Sequence, residues 1–210
     1  MLGVSVFKRS YDAHHKSRIL LIYQLDVELP ERLEQQLLEK FSRSSYVGPS
    51  PDTSYPLVAQ AGADFPAPGQ QRPIVIGFGP YGIIAELLLA QISIKPMVLE
   101  RGQAVRQRTQ DTWGLWRKRK LNTESNVQYG EGGAGIFSDG KLYSEVKDKR
   151  YLGRKVLNEF VAAGAPQEIL YESKSHIGTF KLVLHPQLHN ALDMPVFIRK
   201  SRARFGSQKD

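Results

Sequence analysis

The sequence predicts an α/β fold, and three observations lead to that prediction. Residues 74–76 form a short apolar run that is followed at once by a glycine-rich turn over residues 77–82. An apolar segment of helical length continues to about Ile92, and a second short apolar run occupies residues 97–99. A strand, a tight turn, a helix and a second strand in this order are typical of a parallel sheet covered by helices.

The first 43 residues predict a small α+β domain. Residues 4–9 and 18–29 are apolar and β-branched segments on either side of a polar, basic turn, which indicates two strands. Pro30 opens a predicted helix that ends near Ser42, because apolar side chains recur there at helical spacing. Residues 44–72 are rich in proline and lack periodicity, so we expect a linker before the next domain.

Further helices are predicted over residues 103–119 and 150–163, with a glycine-rich loop over 130–140 between them. Residues 180–184 form a candidate strand. Trp113 and Trp116 lie beside basic residues, a pattern that a nucleic-acid stacking surface also shows. Their helical spacing favours core positions beneath a basic face.

The glycine turn matches the dinucleotide-binding pattern Gly77-x-Gly79-x-x-Gly82. The first glycine permits a tight turn, the second lets the backbone approach a pyrophosphate, and the third lets helix and strand pack closely. Glu100 follows the second strand, 23 residues after Gly77, where a carboxylate accepts hydrogen bonds from a ribose hydroxyl. This order predicts a Rossmann-like domain that binds FAD or NAD, since an acid here disfavours the 2′-phosphate of NADP.

Two further features bear on this site. Glu86 stands on the helix where a small residue usually packs against the strand, so either its side chain tilts outward or the helix lies slightly off the usual contact. The second glycine loop, residues 130–135, allows a backbone to lie against a flat ring system, which favours FAD.

Composition excludes several other classes of chemistry. The chain has no cysteine, so disulfide frameworks, thiol nucleophiles and Cys-ligated metals are excluded. His185 and His189 are four residues apart, but Pro186 between them disfavours an intact helix and no acidic partner completes a zinc site, so we expect no metal. No apolar run reaches membrane-spanning length and no signal peptide is present, so we expect a cytoplasmic protein without a membrane partner. The net charge of +8 is concentrated in residues 101–120 and the last twelve residues, and such segments serve cofactor phosphates as well as nucleic acids.

Several longer segments resemble one family, the uncharacterised FAD-dependent dehydrogenases of bacteria. The resemblance is carried by MVLERG at 97–102, DTWGLWRKR at 111–119, ESNVQYGEGGAGIFSDGK at 124–141 and VLNEFVAAGAPQEILYESKSHIG at 156–178. It extends back to FKRSYDA at 7–13 and forward to about Val183. Tyr81 and Glu86 stand where the family tends to carry small residues.

The resemblance implies an FAD-binding oxidoreductase that transfers hydride through the flavin. The pyrophosphate would lie at the first glycine loop, the ribose at Glu100 and the ring near the second glycine loop. The substrate and the catalytic residues are not specified, a nicotinamide nucleotide is a candidate electron partner, and no nucleic-acid partner is expected. The predicted cofactor-binding residues are Gly77, Phe78, Gly79, Pro80, Tyr81, Gly82, Glu100, Arg101, Gly132, Gly133, Ala134 and Gly135.

The predicted domains are therefore residues 1–43, a linker at 44–72, a partial FAD-binding domain at 73–184 and a basic tail at 185–210. Because members of the family are more than twice as long, we expect a truncated or frameshifted product. Two alternatives remain open: a non-catalytic module that binds nucleotides or nucleic acid, and an inactive gene remnant.

Overall fold

A computed structural model of the chain describes residues 3–144 and 146–178. Within these residues the fold is mixed α/β, with four α-helices and two separate two-stranded sheets, which confirms the predicted class. The chain divides into two compact units. The first combines the described residues up to Tyr55 with Lys141–Ile177, and the second contains Pro56–Gly140.

The first unit is built on an antiparallel hairpin of β1 (Gly3–His15) and β2 (Arg18–Glu28). Gly3 pairs with Glu28, and His15 pairs with Arg18, so only two residues remain in the turn. The two predicted strands are confirmed, but β1 is longer than residues 4–9. Its additional residues are largely exposed, and polar side chains such as those of Asp12 and His14 are compatible with a strand that faces water.

Two helices complete this unit. Helix α1 (Glu31–Lys40) begins directly after Pro30, as predicted, and α4 (Leu152–Ala162) is followed by a short 3₁₀ turn over Gln167–Leu170. Residues 171–173 run along the outer edge of β1, where the Arg9 amide donates to the Tyr171 carbonyl at 2.7 Å and the Ser173 amide donates to the Arg9 carbonyl at 3.0 Å. The N-terminal hairpin is therefore joined to residues far along the chain.

The second unit contains a parallel pair of strands, β3 (Ile74–Ile76) and β4 (Met97–Leu99), connected through helix α2 (Pro80–Gln91). Both strands were predicted at these residues. Phe78, Leu87 and Val98 are buried and form the apolar centre of the unit. Helix α3 (Val105–Lys118) follows, and a 3₁₀ turn over Gly133–Phe137 lies in the second glycine loop. Described residues of the predicted linker, 44–72, form no helix or strand.

The prediction that Trp113 and Trp116 are core residues is wrong. Their side chains are 44% and 56% exposed, whereas Arg108 and Thr112 of the same helix are fully buried. Positions 108 and 112 share one face of α3, and each residue step rotates by about 100° around the axis. Trp113 is turned by about 100° from Thr112 towards the solvent. Trp116 lies one turn beyond Thr112 on the same face, where its ring packs edge-to-face against Phe137 at 6.3 Å but stays partly exposed. The candidate strand at 180–184 and the basic tail lie outside the described residues.

Candidate functional site

The first glycine loop connects β3 to α2 through a tight turn. Gly77 has a φ of +91°, a left-handed conformation that favours glycine, and its amide donates to the Leu99 carbonyl of β4 at 2.8 Å. A Cβ atom at Gly82 would lie 2.1 Å from the Gly77 carbonyl oxygen. Only glycine at position 82 lets the first turn of the helix approach the loop so closely.

The N-terminus of α2 lies at this loop. Gly79 is the residue before the helix and Pro80 is its first residue, a position where proline loses no intrahelical hydrogen bond. The amides of the first helical turn have no intrahelical acceptor, and the helix dipole adds a partial positive charge there. The Tyr81 side chain is 93% exposed, so it does not cover this end of the helix.

Glu100 is buried directly after β4, and its carboxylate bonds to the backbone of the first glycine loop. One carboxylate oxygen accepts a hydrogen bond from the Phe78 amide at 2.7 Å, and the other accepts one from the Gly102 amide at 2.6 Å. The carboxylate therefore fixes the first glycine loop relative to β4. Each oxygen has two acceptor positions, which leaves capacity for a further donor.

The second glycine loop lies directly against the first. The Gly132 amide donates to the Phe78 carbonyl at 2.7 Å, and a Cβ atom at Gly133 would lie 3.1 Å from both Gly79 Cα and Pro80 Cδ. Gly132 and Gly133 both have positive φ values. Sequence analysis singled out the two loops separately, and the fold brings their backbones together at the start of α2.

Arg108 is a site residue that the sequence analysis missed. Its fully buried guanidinium donates to three backbone carbonyls, those of Asn126 at 2.8 Å, Val127 at 2.6 Å and Glu131 at 2.6 Å. It also lies 4.9 Å from the centre of the Phe137 ring. Arg108 thus ties α3 to the segment that leads into the second glycine loop. The sequence carries no signal for its burial, because an arginine and a threonine four residues apart are equally typical of an exposed helical face.

The guanidinium of Arg108 is buried in the second unit near two carboxylates, those of Glu100 and Glu131. Burial lowers the pKa of its guanidinium, and the nearby Glu100 and Glu131 carboxylates oppose that shift. Glu131 also accepts a hydrogen bond from the Val105 amide at 2.7 Å, at the start of α3. Glu86 of α2 is buried as well, 4% exposed, so its side chain does not tilt outward.

Arg101, which we predict to bind the cofactor, pairs with Glu124 in this structure. Its guanidinium makes two hydrogen bonds with the Glu124 carboxylate, at 2.7 and 2.6 Å, and lies 5.4 Å from the centre of the Tyr129 ring. The arginine lowers the pKa of Glu124 through this exposed pair. Gly135 lies near Pro80, while the neighbouring Ala134 is exposed.

The described residues contain neither a cluster of metal ligands nor a membrane-spanning helix. No group of three or more His, Asp or Glu side chains is arranged to hold a metal ion within residues 3–144 and 146–178. Among the helices in those ranges, none has the length and apolar character needed to cross a membrane.

Comparison with known proteins gives one relative. A protein of Clostridium beijerinckii (strain ATCC 51743 / NCIMB 8052), described as an uncharacterized protein, is 42% identical over 178 residues. The match covers 84% of this chain and 31% of the relative, so the chain spans less than a third of the length of the protein it matches. No protein-family model matches the chain.

Proposed function

We propose that this chain is the FAD-binding part of a flavin-dependent oxidoreductase similar to the uncharacterised FAD-dependent dehydrogenases of bacteria. The observation that carries the proposal is the arrangement of β3, the first glycine loop, α2 and β4. Glu100, directly after β4, accepts a hydrogen bond from the Phe78 amide of that loop. This order of elements is that of a Rossmann-like dinucleotide-binding domain.

The residues of the first loop fit the adenosine diphosphate half of FAD. Gly79 carries no side chain at the start of α2, and a Cβ atom there would meet only Gly133 Cα, at 3.8 Å. The first-turn amides and the dipole of α2 would bind a pyrophosphate. Glu100 would accept a hydrogen bond from a ribose hydroxyl through its remaining acceptor positions.

The second loop supplies a backbone surface beside the first. The flavin ring would lie near this loop, as the family resemblance implies. Gly132 and Gly133 let the loop pack closely on Ile136 and on the first loop, and Arg108 would keep it in place through its carbonyl contacts. When bound, FAD supplies the capacity to accept or donate hydride. That the longer protein is an oxidoreductase is part of the same proposal, which specifies no substrate.

The test is a titration of the full chain with FAD, followed by flavin fluorescence and visible absorption, with Gly79→Glu as the variant. The new carboxylate would occupy the pyrophosphate position and repel its charge, so we expect a loss of FAD affinity of at least about a hundredfold. Gly79 is the right position because a Cβ atom there makes only an ordinary contact with Gly133 Cα at 3.8 Å, whereas one at Gly82 would lie 2.1 Å from the Gly77 carbonyl oxygen.

The matched control is Gly62→Glu in the same unit. Gly62 is exposed and a Cβ atom there would meet nothing within 4 Å, so the variant adds the same charge without approaching the site. Unchanged FAD binding by Gly62→Glu, with loss by Gly79→Glu, supports the proposal. Equal behaviour of the two variants contradicts it.

One observation favours a second candidate function, binding of single-stranded nucleic acid. Trp113 and Trp116 are partly exposed, and the Arg117 guanidinium lies 4.3 Å from the centre of the Trp113 ring. Exposed indoles beside cations provide stacking surfaces for bases and contacts for phosphates. Affinity for a single-stranded oligonucleotide that falls steeply with salt and is lost in Trp113→Ala would support it.

A further inference from the structure

Strand β2 exposes an uninterrupted apolar surface. Consecutive residues, which point to opposite faces of a strand, are exposed alike, so neither face of β2 is covered. The exposed apolar side chains are 39–64% accessible and comprise Ile19, Leu20, Leu21, Ile22, Tyr23, Leu25 and Val27.

The two outer edges of this hairpin differ in their backbone hydrogen bonds. Residues 171–173 bond to the outer edge of β1 at Arg9, whereas no strand in the described part of the chain pairs with the outer edge of β2. An eleven-residue edge is about 36 Å long at roughly 3.3 Å per residue. An open apolar edge of this length is a template for pairing with another strand.

The charges of β2 are arranged for pairing with a copy of itself. Arg18 is at its start, Asp26 and Glu28 are near its end, and residues 19–25 carry no charge. In an antiparallel pair with full overlap, Arg18 of each copy faces Glu28 of the other, and Tyr23 faces Tyr23 on the symmetry axis. A parallel pair would place like charges opposite each other, which is unfavourable.

We propose that a second copy of this chain docks antiparallel on the outer edge of β2. The two hairpins then form one four-stranded sheet with twofold symmetry, and the same surface is used by both copies. Because both copies use the same β2 edge, the pair satisfies that edge in each of them and the assembly closes at two copies.

The first test exchanges charges at the two ends of the strand. Arg18→Glu places a carboxylate opposite Glu28 at both ends of the pair, so we expect the dimer dissociation constant to rise about tenfold in analytical ultracentrifugation. The double variant Arg18→Glu with Glu28→Arg restores opposite charges and returns the constant to the wild-type value. Both residues are exposed, so folding is retained.

The second test uses the absence of cysteine in the chain. Directly opposed residues in an antiparallel pair have Cα atoms about 4.5–5.5 Å apart, within disulfide range. Tyr23→Cys is therefore expected to form a disulfide-linked dimer on mild oxidation, and Tyr11→Cys, exposed on β1, is the control that does not.

Three outcomes would overturn the proposal. One is a wild-type chain that stays monomeric up to about 100 μM, which would leave the edge to a strand from another protein. The second is a double variant that associates no better than Arg18→Glu. The third is equal cross-linking of the two cysteine variants.

Discussion

Arg108 ties together the backbone carbonyls of residues 126, 127 and 131, which belong to the segment that enters the second glycine loop. A planar guanidinium presents several donors in fixed directions, and no other side chain serves three such acceptors in the same way. The loop's position against the start of α2 therefore depends on one side chain of α3.

Replacing Arg108 by Met is expected to destabilise the protein by at least about 3 kcal/mol, because three carbonyls lose their donor at about 1 kcal/mol each. Amide hydrogen exchange over residues 126–135 should accelerate in this variant. Arg106→Ala, an exposed position on the same helix, should change stability by less than about 0.5 kcal/mol. Unchanged exchange in Arg108→Met would show that the carbonyl contacts do not hold the loop.

Adding a Cβ atom at Gly82 and at Gly62 is expected to change the stability of the protein very differently. Gly82→Ala would bring Cβ into the Gly77 carbonyl and force the backbone apart, so we expect a loss of about 3 kcal/mol, or roughly 6–12 °C in Tm. Gly62→Ala, where a Cβ atom has open space, should leave the Tm within about 2 °C. Equal melting temperatures would contradict the close packing of loop and helix.

At the scale of elements, β3, α2 and β4 were predictable because their signals are local. A short apolar run, a glycine turn and an apolar helix follow each other within 26 residues, 74–99. The full length of β1 was not predictable, since Asp12 and His14 carry the polar character of a turn. The exposure of Trp113 was missed because spacing alone does not reveal which helical face is covered.

Helix α4 has a cap that responds to pH. The Asp148 carboxylate accepts a hydrogen bond from the Gly153 amide at 2.7 Å, and this bond lowers the pKa of Asp148 below its ordinary value. A lowered pKa in the folded state adds stability above the unfolded value of 3.8, and that stability is lost as the pH falls through the folded value.

Asp148→Ala should therefore lower the Tm by about 2–4 °C near pH 6, the usual effect of losing a helix cap. The difference from wild type should shrink as the pH falls below 3.8 and through the lowered pKa of the native aspartate, which then becomes protonated as well. Asp64→Ala, at an exposed position, is the control and should leave the Tm within about 2 °C of wild type. A constant difference at all pH values would contradict the role of the charge.

At the scale of the whole molecule, the first unit is formed from two distant stretches of the chain. Arg9 and Glu172 form an ion pair beside the backbone contacts that join β1 to residues 171–173. Such pairing between residues 163 positions apart leaves no periodic signal in a single sequence, so the N-terminal hairpin was predicted without its partner. Contact between the two glycine loops was unpredictable for the same reason.

For the whole chain, we propose that the first glycine loop and Glu100 hold the adenosine diphosphate half of FAD. The most direct measurement is gel filtration of the full chain after incubation with FAD or with FMN, which lacks the adenosine monophosphate part of FAD, followed by the visible absorption of the protein peak. We predict that flavin absorption accompanies the protein after FAD, is absent after FMN, and is reduced when excess ADP is added. A protein peak without flavin absorption after FAD, or equal retention of FMN, would contradict the account.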